Sequence, residues 1–155
     1  MHEAFRVYVE SLHPSFEKLM VMSPLKIDRL PRDLPGECIY LFSEGENHLY
    51  VGRTTKLRQR LRQHSIPSAP QNQASFAFKL ACEVTGRTKA SYKTKDSRDD
   101  RCADPSFANV FTQAKARVRK MDVRFVPETD PLRQALLEMY VSIVLKTKYN
   151  DFETH

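Results

Sequence analysis

Residues 37–52 read ECIYLFSEGENHLYVG. Two runs rich in Ile, Tyr, Leu, Phe and Val, Glu37–Ser43 and His48–Gly52, flank the short link Glu44-Gly45-Glu46-Asn47. Such runs around a short Gly-containing link predict a β-hairpin. Side chains alternate faces along a strand, so Cys38, Tyr40 and Phe42 share one face, as do His48, Tyr50 and Gly52. A register pairing even with even positions makes Tyr40 and Tyr50 near neighbours on one face; a one-residue slip separates them.

Downstream of the hairpin, Thr54 or Thr55 caps a helix running to about His64, with Leu57 and Leu61 inward. Arg60 and His64 flank that stripe on one side, and Arg58 and Arg62 on the other. Residues 65–72 read as loop and 74–82 as a short helix. Residues 84–104 are polar and charged, which predicts a mobile loop or disordered insertion. Asp104-Pro105 starts a helix to about Arg119, Met121–Val126 reads as a third strand, and Asp130-Pro131 starts a helix to about Thr147. Upstream, Phe5, Val9, Leu12, Phe16, Leu19 and Met20 recur at helical spacing, with Pro14 dividing or bending the helix. Residues 23–36, with three prolines and Gly36, form an extended connector. The expected organisation is a helical cap and connector over 1–36, then one domain over 37–155 with a charged insertion at about 84–104.

A chain of 155 residues with 41% hydrophobic and 28% charged residues has the makings of one soluble domain. Lys and Arg outnumber Asp and Glu by 25 to 19, for a net charge of +6, which suits an anionic partner such as nucleic acid. Three cysteines without CxxC spacing speak against a disulfide framework or zinc site and for a reducing cytoplasm. No apolar run approaches the roughly 18 residues of a membrane span, and no signal segment opens the chain. Four glycines form no phosphate-cradling loop, and no Gly-x-Ser-x-Gly elbow occurs.

Glu138 is the sole charge in the apolar run Gln134–Leu145. A helix of that composition is expected to be buried nearly all round, so its carboxylate needs compensation by a divalent metal or an arginine. Arg60 and His64 stand at i and i+4 and can converge on one site, the guanidinium on a phosphate and the imidazole in proton movement. The bland reading is a solvated basic face. Arg53, Lys56, Arg58, Arg60 and Arg62 together offer a phosphate surface, with Arg58 and Arg62 suited to backbone contact or solubility. Tyr40 and Tyr50 alone read as sheet tyrosines with packed rings; a phenol is a poor base unless a metal or arginine favours its deprotonated form.

The order Tyr40 … Tyr50-Val51-Gly52 … Arg60-x-x-x-His64 … Glu138 … Asn150 resembles the active site of the GIY-YIG nucleases, over about residues 37–151. Cys38 stands where that family usually has glycine. The resemblance implies an α+β fold, a small three-stranded antiparallel sheet flanked by helices. It implies a metal-dependent endonuclease that hydrolyses phosphodiester bonds in DNA, with RNA as a further substrate class. Glu138 would hold Mg²⁺ or Mn²⁺, Tyr40 or Tyr50 would activate water, and Arg60 would hold the phosphate. His64 would orient a tyrosine or water, and Asn150 would give polar support. Arg53, Lys56, Arg58 and Arg62 would contact nucleic acid, and a homodimer would allow both strands to be cut. The alternative is a non-catalytic nucleic-acid-binding module that retains the fold.

Overall fold

A computed structural model describes residues 1–87 and 97–152. They form two compact units: Met1–Arg58 with Asp122–His155, and Gln59–Met121.

The first unit is built on a three-stranded antiparallel sheet in the order β2-β1-β3, with β1 Cys38–Glu44, β2 Asn47–Thr54 and β3 Asp122–Pro127. The hairpin closes through Gly45 and Glu46, and Gly45 takes φ +59, a left-handed conformation that glycine adopts without a Cβ penalty. The register pairs Tyr40 with Gly52 and Phe42 with Tyr50, so even positions meet even ones. It shifts between Phe42 and Ser43, which pairs with His48 and leaves Leu49 as the extra residue.

One sheet face carries Ile39, Leu41, Val51 and Val126 into a core with Leu12, Leu19, Leu137 and Val141. The helical residues come from α1 Glu3–Glu10, α2 His13–Val21 and the turn between them, and from α7 Pro131–Leu145. Pro14 lies in the first turn of α2, where its missing N–H costs nothing, so the expected division of the N-terminal helix falls just before it. The segment expected to be a cap thus supplies part of the core. Both sheet edges are occupied. Leu25 of the connector exchanges hydrogen bonds with Val123 of β3 at 2.9 and 2.8 Å, and Tyr149 N–H donates to Leu49 of β2 at 3.2 Å.

Helix α7 starts as its Asp-Pro signature dictates. The Asp130 carboxylate accepts from Arg133 N–H at 2.8 Å, Pro131 opens the helix, and Lys146 ends it at φ 52. It differs from expectation in burial. Leu137 and Val141 are buried against the sheet, but Leu132, Met139 and Ile143 are 60%, 44% and 70% exposed. The helix has one packed stripe rather than an apolar surround, because the sheet covers one side only.

The second unit contains most of α3 Leu57–Ser65, then α4 Ser75–Val84, α5 Arg98–Ala103 and α6 Pro105–Arg119. Helix α6 packs on α4 and α5, with the Phe78 ring 5.4 Å from Phe107 and 6.0 Å from Phe111. Asp104 caps α6, accepting from Ser106 N–H at 3.0 Å, as the Asp104-Pro105 pair predicts. Helix α5 lies within the stretch expected to be loop. Ser97 and Asp100 form a reciprocal capping box, and Arg101 is buried, donating to the Arg87 carbonyl at 2.7 Å. A short polar helix with these anchors has no apolar periodicity to reveal it. Residues 88–96 of the expected insertion lie outside the described residues.

Tyr40 is buried, and a Cβ on Gly52 would fall inside van der Waals contact of its Oη and Cζ and 2.9 Å from its Cε1. Gly52→Ala is therefore expected to cost about 1–3 kcal/mol by overpacking. Urea unfolding of Gly52→Ala in wild-type and Tyr40→Ala backgrounds should show the cost falling when the ring is removed.

Candidate active site

Four consecutive residues of β2 organise the candidate site. Tyr50 is half-buried and shares a sheet face with Tyr40, their ring centroids 6.4 Å apart and the planes tilted by 44°. Phe42 packs edge-on against Tyr40 at 5.7 Å. This is the even register in operation: Tyr50 opposes Phe42, and Tyr40 reaches across the diagonal over Gly52.

Val51 is held from outside the sheet by Asn150. The Asn150 Oδ1 accepts from Val51 N–H at 2.9 Å, and its Nδ2 donates to the Val51 carbonyl at 2.7 Å. The side-chain amide thereby imitates a neighbouring strand and satisfies the edge of β2 between Tyr50 and Gly52.

Arg53 pairs opposite Ile39, and so lies on the sheet face that α7 covers. Its Nε stands 3.2 Å from Glu138 Oε2, with the arginine side chain 49% and the glutamate 19% exposed. An arginine is one of the two kinds of compensation open from sequence, and Arg53 supplies it. Reading Arg53 only as a phosphate contact overlooked this; the parity of the strand, which puts Arg53 on the same face as Val51, was the available signal. Burial still raises the Glu138 carboxyl above its ordinary value, while Arg53 pulls it down. Arg53 also lines a cavity of about 370 Å³ with Glu37, Thr54, Thr55, Thr129, Pro131 and Gln134. Gln134 is held in its wall by a bond to the Glu128 carbonyl at 2.6 Å.

The remaining expected site residues have their own local settings. Arg58 donates to the carbonyls of Pro31 and Arg32, tying the connector to the start of α3. Lys56 and Arg62 are exposed. In the second unit, Arg60 Nη1 donates to the Gln73 carbonyl at 2.8 Å. His64 is fully buried, and burial, with the Arg60 charge beside it, holds its imidazole well below the ordinary value. It is neutral near pH 7 and out of solvent, so the bland reading of a solvated basic face fails at His64. Cys38 fits at 0% exposure where the resemblance implies glycine, and burial pushes its thiol up to about 12, so it is an inert core group.

Among the described residues no cluster of three or more His, Cys, Asp or Glu is arranged to hold a metal. A hard cation of the Mg²⁺ type needs less, since it commonly takes one or two carboxylates and fills its shell with water and substrate phosphate oxygens. Glu138, partly desolvated and already facing a cation, fits that role.

The family model for the GIY-YIG catalytic domain matches residues 37–102, a stretch shorter than half the chain. It contains Tyr40, Tyr50, Gly52, Arg53, Arg60 and His64, and stops before Glu138 and Asn150. No curated protein and no solved structure matches significantly. No helix among the described residues is long and apolar enough to cross a membrane.

Two outcomes follow from this geometry. Asn150→Ala should cost about 1–2 kcal/mol and speed amide exchange at Val51, because both bonds to β2 are lost; Asn150→Asp, which cannot donate to the Val51 carbonyl, should recover only part. The raised carboxyl of Glu138 means that the folded chain binds its proton more readily than the unfolded chain. Its unfavourable charge is thus present at neutral pH and relieved as pH falls through the folded value. Glu138→Gln should accordingly melt above wild type at pH 7, and the gap should close as the pH is lowered into the carboxylate range.

Proposed function

We propose, for a chain whose residues 37–102 match the family model of the GIY-YIG catalytic domain, that the protein is a metal-dependent endonuclease hydrolysing phosphodiester bonds in DNA. The family is one of nucleases, and the observation that carries the finer reading is the pairing of Tyr40 and Tyr50 on one face above Gly52 within that domain. Two phenols held by a rigid hairpin can orient a water and receive its proton, the general-base contribution this chemistry needs. The net charge of +6 supports a polyanionic substrate.

Glu138, paired with Arg53 on the α7 side of the sheet rather than on the face that carries Tyr40 and Tyr50, is the residue proposed to hold Mg²⁺ or Mn²⁺, which when bound would stabilise charge on the phosphate and leaving oxygen. Arg60 is the proposed phosphate clamp, its guanidinium anchored through one nitrogen on the Gln73 carbonyl. His64, buried and neutral, acts by orientation rather than as a cation. Asn150 holds both backbone groups of Val51, between Tyr50 and Gly52. Lys56 and Arg62 offer exposed charge for backbone contact, with Arg58 giving its Nη2 to the connector. One such site cuts one strand, so cutting a duplex through both strands calls for a homodimer or two successive events.

The alternative, a nucleic-acid-binding module without cleavage, draws support from the Arg53–Glu138 pair, because a carboxylate compensated by arginine has less need of a metal. Plasmid and oligonucleotide cleavage separates the two. The nuclease reading expects nicking or cutting with Mg²⁺ or Mn²⁺, loss with EDTA, and a fall of at least about 100-fold in Glu138→Ala and Arg60→Ala. Binding without cleavage under every metal would favour the module, and activity persisting in purified Glu138→Ala would remove this site.

A further inference from the structure

We propose that Arg53 is a stand-in cation on Glu138, which turns to a nucleic-acid phosphate when a divalent cation takes the carboxylate. The proposal deepens the nuclease reading and rests on it for the nature of the anion. Three observations carry it. The Arg53 Nε already occupies the carboxylate at 3.2 Å, where a cation bound to Glu138 would compete for the same negative charge. The arginine is 49% exposed and the glutamate 19%, so the movable partner is the arginine. Arg53 also borders the cavity of about 370 Å³ with the hydroxyl-bearing Thr54, Thr55 and Thr129, which gives its guanidinium room to leave.

A half-exposed ion pair is weak enough to exchange. A guanidinium keeps its charge through the move and presents paired donors that match phosphate oxygens. Cation binding and phosphate binding are then coupled, each favouring the state in which Arg53 has left Glu138. The same arginine keeps the carboxylate compensated before either ligand arrives.

The test needs no cleavage. Mn²⁺ binding, followed by electron paramagnetic resonance without nucleic acid, should be about fivefold tighter in Arg53→Gln than in wild type, the scale of one ion pair. Arg53→Lys, which keeps the charge, should stay near wild type, and Glu138→Gln should lose the site. Unchanged or weaker Mn²⁺ binding in Arg53→Gln would overturn the inference while leaving the nuclease reading intact. In EDTA, fluorescence anisotropy with a labelled DNA duplex should show several-fold tighter binding by Glu138→Gln than by wild type. That gain should vanish when Arg53→Gln/Glu138→Gln is compared with Arg53→Gln. An equal gain in both backgrounds would mean simple charge removal and overturn the role of Arg53. No DNA binding by any form, with Mn²⁺ still tightened in Arg53→Gln, would instead overturn the nucleic-acid reading and the phosphate half of the proposal with it.

Discussion

The contact between the Tyr40 ring and the backbone of Gly52 is the constraint on which the candidate site depends. A buried phenol can lie across the neighbouring strand only where that strand has no Cβ. With Tyr40 over Gly52, the two strands are locked in even register, and everything else on β2 takes its place from that choice. Tyr50 falls on the same face as Tyr40. Val51 points into the core with Leu137 and Val141, and Arg53 emerges on the side that α7 covers. A slip of one residue would exchange all of these at once, because the side-chain period of a strand is two.

Around this rigid hairpin the electrostatics divide into fixed and adjustable parts. Asn150 is fixed, its amide satisfying both backbone groups of Val51 on the β2 edge. The Arg53–Glu138 pair is the part proposed to be adjustable: burial opposes the glutamate charge, and a half-exposed arginine offsets it. The partly desolvated Glu138 carboxylate is a modest liability to stability, which its half-exposed partner offsets in part.

Much of the fold was legible because local signals agreed with one another. The hairpin was marked by its apolar runs and the Gly45 link. The two long helices after residue 100 were each announced by Asp-Pro, and in both the aspartate caps the first turn. Helix α5 escaped notice because a capping box and a buried Arg101 replace the apolar stripe that a pattern search needs. The candidate site was legible as a set of residue types but not as a set of partners. Glu138 needed a cation on grounds of desolvation alone, and strand parity put Arg53 on the core-facing side without naming Glu138 as its partner. His64 looked like a basic group beside Arg60 and is instead a buried neutral one.

By itself, then, the sequence determined the strands, the helix starts, the Tyr-x-Gly signature and the presence of a lone carboxylate in an apolar helix. These are encoded within a few residues by turn chemistry, capping and periodicity. Only the tertiary structure decided the even register, the exposure of one side of α7, the grip of Asn150 on Val51 and the pairing of Arg53 with Glu138. Each of those joins residues far apart in the chain, and burial and charge compensation depend on what packs alongside, which no local pattern records.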